Sequence, residues 1–174
     1  MNFFEKKLSG KTVYDGKILK LEVDEVELPD GNKSTRECVR HCDGAAVLLV
    51  EDGKILLVKQ YRYLYGKVIY EIPAGKLESG EDPKAGGARE LEEETGYSAE
   101  LVRLMELYPS VGYTDEVIHI FIADNFEYVG RNPDKDEFVE SEFISVCDVL
   151  AMIERGEICD AKTVAAVYKY VSGK

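Results

Sequence analysis

Residues 75–97, GKLESGEDPKAGGARELEEETGY, constrain this chain more than any other stretch. They place a glycine-bearing loop in front of a short helix that carries more carboxylates than a helix needs. Asp82 reads as an N-cap, Pro83 as the first helical residue and Gly96 as the C-terminal stop, so the spacing predicts a helix over residues 83–95. Glu90, Glu93 and Glu94 then stand at i, i+3 and i+4 on one face. Ala85, Ala88 and Leu91 are expected to face the core and leave that acidic face free. Each like-charged pair costs the helix roughly 0.2–0.5 kcal/mol. A hard divalent cation suits the cluster better than Lys84 or Arg89 alone, because such a cation takes oxygen ligands and keeps room for waters and phosphates. Gly86 and Gly87 each cost about 1 kcal/mol relative to alanine inside a helix, which predicts close approach of another backbone segment.

With 174 residues and 45% hydrophobic content, the chain fits one domain, or one domain with a small appendage, and can bury a core. Its longest apolar run, residues 45–50, is far too short to span a bilayer, and the N-terminal MNFFEKKLSG has no apolar signal region. A formal net charge of −12 argues against nonspecific binding to nucleic acid or to anionic membranes. An anionic substrate would therefore need local positive charge from bound metal and selected Arg or Lys side chains. The four cysteines form no CxxC pair, so free thiols in a reducing cytoplasm are expected. Strand alternation points Cys38 and His41 to opposite faces, which disfavours a zinc site with Cys42.

Residues 1–42 read as a small β-rich subdomain. The apolar phase through Leu19, Leu21, Val23, Val26 and Leu28 slips by one near Asp24 and Glu25, which predicts a bulge or bend there. Pro29-Asp30-Gly31-Asn32 predicts a tight turn. Residues 44–50 form a continuous apolar strand of the kind buried on both faces, followed by a turn at 51–53 and a returning strand at 55–60. QYRYLYG, residues 60–66, sets one arginine among three tyrosines. Further strands are predicted at 68–72, 99–107 and 117–123, the last with His119 as a packing residue. A polar loop at 130–142 leads to another strand. Helices follow at 147–155 and 161–171, the latter with Val164, Val167, Tyr168 and Val171 as its inner stripe. This mixed order predicts an α/β (α+β) fold with a mixed sheet covered by helices.

Gly75, Glu81, Arg89, Glu90, Leu91, Glu93, Glu94, Gly96 and Tyr97 follow the pattern G-x5-E-x7-R-E-U-x-E-E-x-G-U, where U is bulky and apolar. The stretch thus resembles the Nudix box of the Nudix hydrolases. VKQYR, EIPAGKLE, YPSVGYTDE, DEFVE and CDAKT extend the likeness to the ADP-ribose pyrophosphatase branch. The resemblance implies a Nudix-type α/β/α sandwich over residues 43–174, with residues 1–42 as an N-terminal antiparallel β subdomain exchanged across a homodimer. It also implies Mg²⁺-dependent hydrolysis, with Mn²⁺ as a possible substitute, of the pyrophosphate bond of ADP-ribose or a related nucleotide sugar. Alternatives are another nucleotide-sugar substrate, such as GDP-mannose, and a non-catalytic nucleotide sensor.

By the same resemblance, Glu90, Glu94 and the Ala74 carbonyl are metal ligands, and Glu93 is a further ligand or acts through water. Arg89 orients the glutamates. Glu137 is the general base, with Asp136 as the neighbouring alternative. Arg62 contacts phosphate or ribose, Glu71 contacts ribose or the metal network, and Gly112 and Asp115 contribute from the YPSVGYTDE loop. Val111 departs from the proline common before that loop glycine, which leaves substrate choice open. Tyr14, Tyr61 and Tyr113 stand equally as base-stacking or packing residues.

Overall fold

The computed structural model describes residues 2–131 and 138–173. By proximity the chain divides into two units, residues 1–42 with 108–117, and residues 43–107 with 118–174.

In the first unit, strands β1 (Lys6–Asp15), β2 (Leu19–Glu27) and β3 (Lys33–His41) form an antiparallel sheet in the order β1-β2-β3. The β2–β3 turn forms where Pro29-Asp30-Gly31-Asn32 predicts it. Gly31 takes φ +85°, a left-handed conformation open to glycine, and donates its N–H to the Leu28 carbonyl. No bulge occurs at Asp24 and Glu25, where β2 pairs with β3 in unbroken register. The irregularities fall opposite, in β1, between Lys7 and Ser9 and between Thr12 and Tyr14. The apolar phase slips because buried Asp24 takes an inward position beside Val26, its carboxylate paired with Lys7 Nζ at 2.7 Å. Segment 108–117 joins β3 through Val39 N–H to the Tyr113 carbonyl, and through Arg40, whose Nη1 meets Asp115 Oδ2 at 2.9 Å.

In the second unit, β4 (Gly44–Leu48) pairs in parallel with β10 (Ile118–Tyr128) and antiparallel with β8 (Ala74–Lys76). Adding β9 (Tyr97–Leu107) gives a mixed sheet in the order β8-β4-β10-β9. A second sheet joins β5 (Val50–Glu51), β6 (Lys54–Arg62), β7 (Lys67–Glu71) and β11 (Val139–Ser145), with β6 paired to the other three. The predicted turn at 51–53 closes the β5–β6 hairpin, with Asp52 and Gly53 at positive φ.

β4 is buried at every position, as its apolar run predicts. Ala45, Val47 and Leu49 face one core with Leu91, Leu101 and Phe121, and thus α1 (Pro83–Thr95). Ala46 and Leu48 face the other core, with Val149 and Met152 from α2 (Val146–Glu154) and Ala166 and Val167 from α3 (Ala161–Ser172). Burying these side chains on both faces supplies most of the driving force, at roughly 1.5–3 kcal/mol for each large aliphatic residue.

The inner stripe of α3 differs from the expected one. Val167 is buried and Val164 half-buried, but Tyr168 and Val171 are exposed. Lys162 and Thr163 turn inward instead, because β7 and the residue after it offer them polar partners. Among the described residues, no helix is long and apolar enough to cross a membrane.

Candidate active site

Helix α1 begins and ends as predicted. Asp82 Oδ2 accepts the Ala85 N–H at 3.0 Å, Pro83 opens the helix, and Gly96 closes it at φ +79°. Its faces match the expectation only in part: Leu91 is buried and Ala88 packs against the same core, but the rest departs from it. Ala85 is exposed, whereas Gly86, Gly87, Glu90, Leu91 and Glu94 are buried. Glu90 and Glu94 are only 8% and 3% exposed, so the acidic face lines the structure and is not freely solvated. The paired glycines admit side chains and not a backbone segment. A Cβ at Gly86 would lie 2.3 Å from Leu77 Cδ2, and one at Gly87 would lie 3.2 Å from Leu101 Cδ1.

Burying carboxylates requires partners. Arg89 supplies many of them, since its guanidinium offers five donors in a rigid fork. Nε and Nη2 meet the two Glu81 oxygens at 3.0 and 3.1 Å. Nη1 reaches Glu90 Oε1 and Glu93 Oε2, both at 2.9 Å, and Nη2 reaches the Lys76 carbonyl at 3.2 Å. The Arg89 bonds, followed by the Glu78 N–H, hold the Glu81 carboxyl below its ordinary pKa. Glu94 is fixed from the other side, its Oε2 accepting the Ala74 N–H at 3.0 Å. Gly75 leaves space for Glu90: a Cβ there would lie 2.1–2.2 Å from the Glu90 carboxylate atoms.

A second cluster adjoins the first through residues 71–74. Arg62 grips Glu71 with Nε at 2.6 Å and Nη2 at 2.8 Å. Lys162 Nζ donates to Glu71 Oε2 and also meets Asp160 Oδ2 at 3.1 Å. Burial pushes the Glu71 carboxyl up, but the Arg62 bond and the Lys162 charge outweigh it and leave the pKa below its ordinary value. Arg62 is held more firmly protonated, chiefly by Glu71, with Glu94 and Asp160 adding weaker attraction.

The second unit thus brings together Ala74, Arg89, Glu90, Glu93 and Glu94, with Arg62 and Glu71 on an adjoining strand pair. Gly112 and Asp115 belong to the first unit. There they line a pocket of about 190 Å³ with Arg36, Cys38 and Arg40. Glu137 and Asp136 lie outside the described residues. Tyr14, Tyr61 and Tyr113 are all largely exposed, so none serves as core packing. Lys162 and Asp160 are members of the polar cluster that sequence reasoning did not single out. The only sequence signal for them was the CDAKT likeness.

Glu90, Glu93, Glu94 and the Ala74 carbonyl offer the hard oxygen donors that a divalent cation takes. Gly75 opens space at Glu90, and the Glu90 and Glu93 carboxylates have more lone pairs than their Arg89 bonds use, as Glu94 has beyond its bond from the Ala74 N–H. The donor set therefore fits such a cation. Among the described residues, no three His, Cys, Asp or Glu side chains stand preassembled as a metal cage.

The family profile described as NUDIX domain matches residues 40–167. Another, described as nucleoside diphosphate sugar hydrolase N-terminal domain, matches residues 5–39. The chain belongs to the Nudix hydrolase family. It is 45% identical over 167 residues to an ADP-ribose pyrophosphatase of Bacillus subtilis (strain 168), covering 94% of this chain and 90% of that one. It is 43% identical over 169 residues to a methanol dehydrogenase activator of Bacillus methanolicus, covering 95% and 91%. A solved structure described as an ADP compounds hydrolase superposes with a TM-score of 0.84 at 20% identity, covering 97% of this chain and 92% of that one, a likeness of fold.

Proposed function

We propose that the chain hydrolyses the pyrophosphate bond of ADP-ribose, or of a closely related nucleoside diphosphate sugar, to a nucleoside monophosphate and a sugar phosphate. The observation that carries this reading is the Ala74 N–H bond to Glu94, which sets the carboxylate face of α1 beside the strand segment bearing the Arg62–Glu71 pair. The 45% identity to an ADP-ribose pyrophosphatase over nearly the full length of both chains supports the substrate class.

Glu90, Glu94, Glu93 and the Ala74 carbonyl would hold Mg²⁺, with Mn²⁺ as a substitute. A cation held there would supply polarisation of phosphoryl oxygens and a lowered pKa for a bound water. Arg89 keeps Glu90 and Glu93 aimed. Arg62 offers Nη1 to a phosphate oxygen while Glu71 grips the rest of its fork. By its likeness to the family pattern, Gly112 of the YPSVGYTDE loop is assigned to substrate binding. Glu137, or Asp136 next to it, accepts the proton of the water that attacks phosphorus, and the P–O bond to the departing phosphate breaks. Both lie outside the described residues.

Residues 1–42 are assigned as a dimerisation element. Strand β1 is exposed along its whole length, and Phe3 and Phe4 beside it are 79% and 70% exposed. The remaining assignments are a cytoplasmic homodimer that does not bind nucleic acid or membrane. Sedimentation of the purified chain at twice the monomer mass supports the dimer, and a monomer at micromolar concentration rejects it.

The relative named as a dehydrogenase activator favours a second reading, in which the chain acts on another enzyme's reaction. Purified protein incubated with ADP-ribose, GDP-mannose and other nucleotide sugars plus Mg²⁺ separates these readings. AMP release fastest from ADP-ribose supports the first, and GMP release from GDP-mannose redirects it. The absence of turnover on every substrate rejects hydrolysis of nucleotide sugars.

A further inference from the structure

Lys162 is only 8% exposed, and a lysine is rarely buried so deeply unless its charge is answered. Two carboxylates answer it. Its Nζ donates to Glu71 Oε2 and meets Asp160 Oδ2 at 3.1 Å. Asp160 is also the N-cap of α3, accepting the Thr163 N–H at 3.0 Å and the Thr163 hydroxyl at 2.6 Å. That hydroxyl in turn accepts the Ile72 N–H at 2.9 Å. The first turn of α3 therefore ties down two consecutive residues, Glu71 and Ile72, through adjacent side chains of its own.

The consequence lies on the far side of Glu71. Arg62 uses Nε and Nη2 on the two Glu71 oxygens, and its Nη1 has no partner among the described residues. The direction of Nη1 is thus set by the plane of the Glu71 carboxylate, and Lys162 fixes that plane by holding Oε2. Three residues further along, the Ala74 N–H holds Glu94. A single short segment thus connects the cation on α3 to both the guanidinium and a carboxylate of α1.

We propose that Lys162 is a positioning residue for the hydrolytic reaction: it holds Glu71 so that Arg62 presents its remaining N–H to the phosphate of a nucleoside diphosphate sugar. This inference rests on the functional reading of Arg62 given above. Lys162 touches no reacting atom. Its loss is felt only through Arg62, which separates this role from ordinary support of the core.

The test is a double-mutant cycle on the full chain with ADP-ribose and Mg²⁺. Lys162→Met lowers kcat/KM by about 10- to 100-fold, the range typical when an outer group stops orienting a site residue. In an Arg62→Ala background the same substitution changes kcat/KM by less than about twofold, because the group it positions is gone. Asp160→Asn keeps a good N-cap and frees one anchor of Lys162, so it gives a smaller loss that also vanishes without Arg62. It serves if Lys162→Met fails to fold. Equal losses with and without Arg62, or no loss, overturn the inference. Failure of the unmutated protein to hydrolyse ADP-ribose overturns the functional reading instead. Crystal structures then decide the role of Lys162: the Arg62 fork leaves Glu71 in the variant if the inference holds, and an unmoved fork overturns it.

Discussion

Glu94 and Ala74 are twenty residues apart, yet the Glu94 carboxylate takes the Ala74 N–H at 3.0 Å, locking the acidic helix to the strand segment that precedes its loop. A carboxylate 3% exposed keeps its charge only where a donor or a cation meets it. Replacing Glu94 with Gln leaves a carbonyl oxygen to accept that bond but removes the charge. The variant is expected to fold with nearly unchanged circular dichroism and to lose about 10²-fold or more of kcat. Activity within threefold of the parent would remove Glu94 from the site.

Gly75→Ala is a smaller change with a directed effect. The added Cβ would sit 2.1–2.2 Å from the Glu90 carboxylate, so Glu90 must turn away. Nucleotide-sugar hydrolysis is expected to drop by about 10- to 100-fold, because a misplaced site carboxylate costs far more in rate than in stability. Steady-state kinetics beside a thermal melt separates the two effects.

Arg89→Lys retains the charge and loses the fork. A lysine cannot reproduce bonds to Glu81, Glu90, Glu93 and the Lys76 carbonyl from one nitrogen. Denaturant unfolding is expected to show a loss of about 1–3 kcal/mol. Added Mg²⁺ should recover part of it by neutralising the same carboxylates. A variant as stable as the parent would place Arg89 outside this network.

Glu71 carries a pH signature. Its folded pKa lies below the ordinary 4.5, so the stability it contributes is present above 4.5 and fades as pH falls through the lower folded value. Glu71→Gln should therefore be less stable than the parent at neutral pH, and the difference should close as pH falls through the lowered folded pKa and the parent carboxylate takes up its proton. Thermal melts from pH 7 to pH 3 follow this convergence. Parallel curves would contradict it.

Local signals were the legible ones. Asp82, Pro83 and Gly96 bound α1 from within a few residues of sequence, and the run at 44–50 announces a strand buried on both sides. The wrong readings of β2 and α3 share one physical cause: polar residues that turn inward because a distant partner satisfies them. Asp24 breaks the alternation of β2 by pairing with Lys7, and this looks like a bulge in sequence. Lys162 and Thr163 meet Glu71 and Ile72 across 91 positions, which no helical period encodes, and they displace Tyr168 and Val171 from the expected inner face. The spacing of Glu90, Glu93 and Glu94 gave their shared face. It did not give the burial of Glu90 and Glu94, which depends on the Arg89 fork and the gap at Gly75 for the first and on the Ala74 N–H for the second. The likeness of CDAKT to a family pattern was visible, but its role needed the contact with Glu71.

The most direct measurement is anomalous scattering from crystals of the protein soaked in Mn²⁺ with ADP-ribose. The account predicts Mn²⁺ held by Glu90, Glu94 and the Ala74 carbonyl, with the diphosphate between the ions and Arg62. Ions lodged elsewhere, with these carboxylates still closed on Arg89 and Ala74, would contradict it.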